Sequence, residues 1–121
     1  MNAGLVFLGG GLGSLCRYGL GLIFPSVSYS GTLLSNILSC MVLGLIAGLM
    51  SEVSWLQRQH VLLLGTGFCG GFSTFSTLSL ELVQFYNQGE QLTGLIYLSA
   101  SLVAGVVSVF LGLWAAQLIT G

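Results

Sequence analysis

Between Gly65 and Glu81 the chain reads GTGFCGGFSTFSTLSLE, which sets four glycines, then five hydroxyl side chains, then a carboxylate into seventeen residues of an otherwise apolar run. No lipid-facing helix is composed this way. The pair Gly70-Gly71 followed by Ser73 and Thr74 predicts an unwound point, and in hydrocarbon a broken helix is tolerated only where it is buried in protein or lines a polar cavity. Carbonyls freed at such a point can hold a cation, and freed amides favour an anion. Two more polar side chains sit in apolar runs, and with the carboxylate of the stretch itself each has two readings. Arg17 costs at least about 2.5–3.5 kcal/mol inside a membrane span unless it snorkels or faces water, so it is either a snorkelling anchor or an attractor of anions. Asn36 either binds a neighbouring helix or offers its amide hydrogens to a passing anion. Glu81 is either an interfacial anchor or a functional carboxylate.

The elements that must position these residues follow from composition. Of 121 residues 55% are hydrophobic and only 4% are charged, with a mean hydropathy of +1.00, against about 25% charged in a soluble domain. This composition indicates an all-α integral membrane protein. A bilayer core of about 30 Å takes about 20 apolar residues per span, and four such runs fit, at about 3–24, 32–50, 60–86 and 92–119. Residues 1–121 are expected to form a single four-helix transmembrane domain. The first run has no basic leader and carries Arg17, so it reads as a helix rather than a signal peptide. Pro25 is expected to end it. So little protein cannot enclose a wide pore alone, and self-association is expected.

Spacing assigns faces to these helices. Gly9, Gly13, Arg17 and Gly21 recur every fourth residue along one side of the first span, a seam that lets another helix come close. Asn36, Cys40, Gly44 and Gly48 share a face of the second span, with Ser35 and Ser39 beside it. In the fourth span Tyr97, Ser101, Gly105, Ser108 and Gly112 form either a polar track or a packing face with back-bonded serines. Cys16, Cys40 and Cys69 lie one per helix with no paired spacing, which suggests neither a disulfide framework nor a metal cluster. His60, at the end of the polar linker 51–59, is expected at the membrane interface. Gly65, Gly67 and Gly70 match G-x-G-x-x-G formally, but no strand precedes them and no βαβ unit surrounds them, so the match is spurious. No nucleophile and base, cofactor motif or phosphate loop is present, and no nucleic-acid partner is expected.

Orientation is nearly unspecified. Arg58 is the only basic residue on the side shared by the termini and the 51–59 linker, and Arg17 is its only rival, so the positive-inside rule has little to act on. Insertion both ways up would allow an antiparallel dimer with its axis in the membrane plane. The breaks of two third spans could then meet at the midplane around one cation.

Taken together, GGGLGSLCRY at 9–18, GTLLSN at 31–36 and GFCGGFSTFSTLSLE at 67–81 closely resemble the Fluc/CrcB family of bacterial fluoride channels. The resemblance extends over the whole chain. It implies a four-helix subunit in an antiparallel, dual-topology dimer of the bacterial inner membrane, with two fluoride pores and a structural sodium ion at the dimer centre. By position in the motif, the carbonyls of Gly70 and Ser73 would bind sodium. Asn36 would match the pore asparagine, Phe75 the first pore phenylalanine and Glu81 the glutamate of the third helix, while Tyr97 and Ser101 would begin the polar track. Thr77 and Arg17 complete the expected pore set.

Fluoride holds its water tightly, so a pore must replace that water with many donors, such as amides, hydroxyls and ring edges, without a deep site that retains the ion. Transport is expected to be passive, exporting fluoride and relieving its toxicity. The chain departs from the family pattern at Leu78, where the second pore phenylalanine is expected, at Ser39 in place of a glycine, and at Gly105 on the polar track. These departures raise an alternative in which the chain is one subunit of a heterodimer with a paralogue. A small multidrug exporter would need an acidic residue in the first span, where this chain has Arg17. A non-conducting scaffold would explain the glycines and leave Asn36, Glu81 and the hydroxyl cluster without purpose.

Overall fold

The computed structural model describes residues 2–23, 28–50 and 52–121, and among them every regular element is helical. α1 spans Asn2–Ile23 and α2 spans Ser28–Leu49. The third span is composite: α3 (Arg58–His60) runs into a π-helical segment, Val61–Cys69, then α4 (Gly70–Phe72), and after an interruption α5 (Phe75–Asn87). α6 spans Gln91–Thr120. Four of these runs are long and apolar enough to cross a membrane: Asn2–Ile23, Tyr29–Leu49, Arg58–Asn87 and Gln91–Thr120. The protein is a multi-pass membrane protein. Pro25, expected to end the first helix, lies outside the described residues.

Glycine sets how the helices meet. A Cβ on Gly9 would come within 2.9 Å of the Phe68 amide nitrogen, and one on Gly13 within 2.7 Å of that of Phe72, so α1 lies backbone to backbone against the third span. In hydrocarbon, apolar burial does not draw helices together, and close packing of this kind takes its place. The second seam joins α2 to α6. Gly112 sits against the Leu45 nitrogen, where a Cβ would be only 2.6 Å away, and Gly44 faces the Val109 backbone at 3.0 Å. The fourfold glycine spacing of the first span is thus a packing stripe as far as Gly13, and Gly21 continues it toward Gly31 of α2. Long apolar side chains such as Phe7, Val103, Phe110 and Ile119 remain exposed, as suits a surface that lipid or another apolar chain covers.

Two local features were not expected. The π-helical segment has the Gly70 amide donating to the Gly65 carbonyl five residues back, the wide spacing that defines this helix type. The tight turn into the fourth span is closed by Gly89 at φ +77. There the Glu90 amide donates to Phe85 O at 2.8 Å and the Gly89 amide to Tyr86 O at 3.1 Å, a Schellman ending that favours glycine at the left-handed position. The second helix also starts earlier than hydropathy suggested, at Ser28. Tyr29 there lies 5.6 Å from the ring of Phe85 and 5.3 Å from that of Tyr97.

Candidate functional site

The break falls where the glycine pair and hydroxyls place it. Ser73 ends the preceding helix twice over, its amide donating to Cys69 O at 2.9 Å and its hydroxyl to the same oxygen at 2.7 Å. Ser73 and Thr74 then take extended backbone angles, with ψ of 157 and 122. Thr74 restarts the helix as its N-cap: its Oγ1 accepts from the Thr77 amide at 3.1 Å, satisfying one of the first-turn donors that have no partner within the helix.

Two other spans reach into this break. Asn36 of α2 reads Thr74 from both sides, with Thr74 N donating to Oδ1 at 2.8 Å and Nδ2 donating to Thr74 O at 3.3 Å. Arg17 of α1 donates from Nε to Gly71 O at 3.3 Å. Both polar side chains singled out in the first two spans therefore converge on the four residues from Gly71 to Thr74. Among the described residues, no hydrogen bond reaches the carbonyl oxygens of Gly70 or Ser73. Backbone carbonyls are suitable ligands for a hard cation, and these two oxygens, like that of Phe72, are free to serve as such.

The remaining expected site residues divide into three places. A groove of about 370 Å³ between α2, the break and α6 is lined by Asn36, Ser73, Phe75, Leu78, Ser101 and Gly105. In it Phe75 is 78% exposed while Leu78 is buried, and Ser101 Oγ is buried with no hydrogen-bond partner among the described residues. A second groove of about 330 Å³ brings Arg17 and Thr77 together with Thr32 and the Gly21–Gly31 contact. Thr77 thus faces Arg17 rather than the groove of Phe75. The third place is a buried pair: Tyr97 OH lies 3.2 Å from Glu81 Oε1 and 3.4 Å from the carbonyl of Tyr29, and its single O–H can donate to either. Glu81 and Tyr97 are each about 5% exposed. Among the described residues the second carboxylate oxygen, Oε2, is buried with no partner at hydrogen-bond distance, and the Thr32 hydroxyl is the polar neighbour beside Glu81.

On the fourth span the packing reading holds at Ser108. Ser108 bonds back to Ala104 O at 2.6 Å and belongs to the packing seam, whereas Ser101 lines the first groove and Tyr97 belongs to the buried pair with Glu81. His60 is exposed at the start of the third span, where its Nδ1 accepts from the Gln57 amide at 3.1 Å and its ring meets Trp55 edge-on. Among the described residues no group of three metal-ligating side chains occurs. Sequence reasoning missed Thr32, although it stands four residues before Asn36 on the same helical stripe. It also left Thr74 out of the site, although a threonine immediately before a new helical run, with a second three residues on, is a capping signal.

Comparison with known proteins agrees with this architecture. The family described as "CrcB-like protein, Camphor Resistance (CrcB)" matches residues 4–113. A protein of Gloeothece citriformis named "Fluoride-specific ion channel FluC" is 41% identical over 114 residues, covering 91% of this chain and 92% of its own length. A protein of the same name from Pyrococcus furiosus is 44% identical over 110 residues, 89% of each, and one from Azobacteroides pseudotrichonymphae is 38% identical over 112 residues, 89% of this chain and 90% of the relative. The family match begins ahead of the Gly9 seam and ends beyond Gly112, taking in the break, both grooves and the Glu81–Tyr97 pair, and over that extent the chain belongs to the CrcB family.

Proposed function

We propose that the chain is a passive, fluoride-selective ion channel that exports fluoride and relieves its toxicity, working as one half of an antiparallel dimer with two pores. The observation that carries this reading is the groove of Asn36 and Ser101. One Asn36 N–H is committed to Thr74, which leaves its second amide hydrogen, and the Ser101 hydroxyl has no partner among the described residues. Phe75 stands in the same groove largely uncovered, so a ring edge carrying partial positive charge is also available. These are neutral donors, several and weak, as a tightly hydrated anion that must also leave requires. The names of relatives 38–44% identical over most of their length support fluoride as the ion.

Each residue has a part in this reading. Asn36, Ser101 and Phe75 take the place of lost water, and Leu78 fills the position beside them. Arg17, with Thr77 and Thr32, gives the second groove a positive, hydroxyl-lined character that draws anions toward the break. Glu81 and Tyr97 form a polar patch at the end of the pathway, where Tyr97 can turn its hydroxyl. A sodium ion held between two copies by the carbonyls of Gly70 and Ser73 fits their unpaired state in one subunit; when bound it supplies a fixed positive charge outside the anion path. The open groove and the uncovered Phe75 support a second copy, or a paralogous subunit, as the other wall.

Expression in bacteria lacking their own fluoride exporter tests the reading. Growth in fluoride should be restored by the wild-type chain and not by Asn36→Asp. Restoration only with a co-expressed paralogue would make the chain a heterodimer subunit, and no restoration in either case, with the protein present in the membrane, would refute the channel reading.

A further inference from the structure

The fit of Arg17 to the break assigns it a task beyond drawing anions. We infer that Arg17 is a positioning residue whose Nε–H, by holding the Gly71 carbonyl, fixes the shape of the break in the third span. This rests on the reading of the break as part of the conduction site. Gly71 lies directly under α1: a Cβ there would come within 2.9 Å of Gly10 Cα. Arg17 is seven residues beyond Gly10, two helical turns along nearly the same face. Helical side chains lean toward the N-terminus, so the arginine runs back along α1 and returns to Gly71, where Nε donates at 3.3 Å.

The contact answers a specific need. Once Ser73 and Thr74 leave the helix, Gly71 O has no acceptor role in an α-helical ladder, and an unsatisfied carbonyl is costly in a membrane. From the other side, Asn36 holds Thr74 by both its amide and its carbonyl. Gly71 and Thr74 are thereby fixed from two different spans, and the free carbonyls of Gly70, Phe72 and Ser73 are immediately beside these anchors. Among the described residues Arg17 bonds through Nε alone, and the residue also lines the groove of Thr77 and Thr32.

The bond count of the side chain separates this role from a role of charge. Glutamine carries its amide nitrogen as many bonds from Cα as arginine carries Nε, but no charge. Lysine keeps the charge and places its nitrogen one bond further out, and methionine fills the same length with no donor. Hydrogen–deuterium exchange of the full-length protein in lipid nanodiscs at fixed sodium reads the break directly, without any fluoride flux. Arg17→Met should speed exchange of the Gly70–Leu78 amides about tenfold, the loss of one charge-assisted bond. Arg17→Gln should stay within about threefold of wild type, and α6 should be unchanged in both.

Equal loosening by Gln and Met, protection by Lys but not by Gln, or loosening spread over all four spans would overturn the inference. Should the Met variant not be recovered folded, the Gln and Lys variants decide between the two roles. A chain that failed to conduct fluoride would leave this exchange pattern standing, so the two readings fail separately.

Discussion

Replacing Asn36 by aspartate changes two atoms' chemistry and almost no volume, and it tests the groove at its most informative point. The Thr74 amide would keep its acceptor, now a carboxylate oxygen in place of Oδ1 at 2.8 Å. The other oxygen would replace Nδ2 and face Thr74 O at the present 3.3 Å, acceptor against acceptor. Losing that bond costs about 1–3 kcal/mol, which the packed seams of α1 and α6 can absorb. The ion suffers more. A fluoride about 4 Å from the new negative charge, at an effective dielectric near 20, is repelled by about 4 kcal/mol, and each 1.36 kcal/mol is tenfold. Fluoride flux should fall about a thousandfold. The assay is efflux from proteoliposomes followed with a fluoride electrode, with size-exclusion chromatography to show that assembly is retained. Flux within about threefold of wild type through an intact assembly would refute the reasoning and reduce Asn36 to a brace for the break.

Other outcomes follow from the same geometry. Leu78→Phe should raise fluoride flux in liposomes holding this chain alone, since a ring edge offers positive charge where an isobutyl group offers none; unchanged flux through an intact dimer would show that Leu78 is not limiting. Tyr97→Phe removes the donor to the buried Glu81 and should lower thermal stability in detergent by an amount equivalent to about 1–3 kcal/mol, whereas Glu81→Gln, which still accepts from Tyr97, should lower it less. Gly112→Ala drives a methyl group into the Leu45 backbone at 2.6 Å and should destabilise the subunit, while Gly105→Ala, which meets only Cys40 Sγ at 3.5 Å, should leave melting unchanged. Reporters fused to the C-terminus should show activity from both sides of the membrane, and one fixed orientation in a functional homomeric channel would contradict the antiparallel dimer.

Much of this protein was legible because membrane chemistry narrows the options. Four apolar runs gave the four spans, and a glycine pair ahead of Ser73 and Thr74 gave the break, because hydrocarbon tolerates so few other uses for that composition. The stripes through Gly13 and Gly112 gave the contact faces. What remained hidden was partnership across spans. Periodicity orders residues around one helix, but it does not say that Arg17 will meet Gly71 fifty-four positions away, or that Thr77 will turn toward Arg17 and away from Phe75. The early start of the second helix was hidden for a local reason: Ser28, Tyr29 and Ser30 lower the hydropathy, yet the Tyr29 ring is held by Phe85 and Tyr97. The π-helical stretch has no compositional mark, since its apolar residues would serve an α-helix equally well.

The central claim is that this chain conducts fluoride, and purified protein in liposomes tests it most directly. With a potassium ionophore to carry the balancing charge, vesicles loaded with fluoride should empty it through the wild-type protein far faster than protein-free vesicles do, while the same vesicles loaded with chloride should retain it. No fluoride efflux from vesicles shown to contain folded, assembled protein, or efflux of chloride as fast as fluoride, would contradict the account.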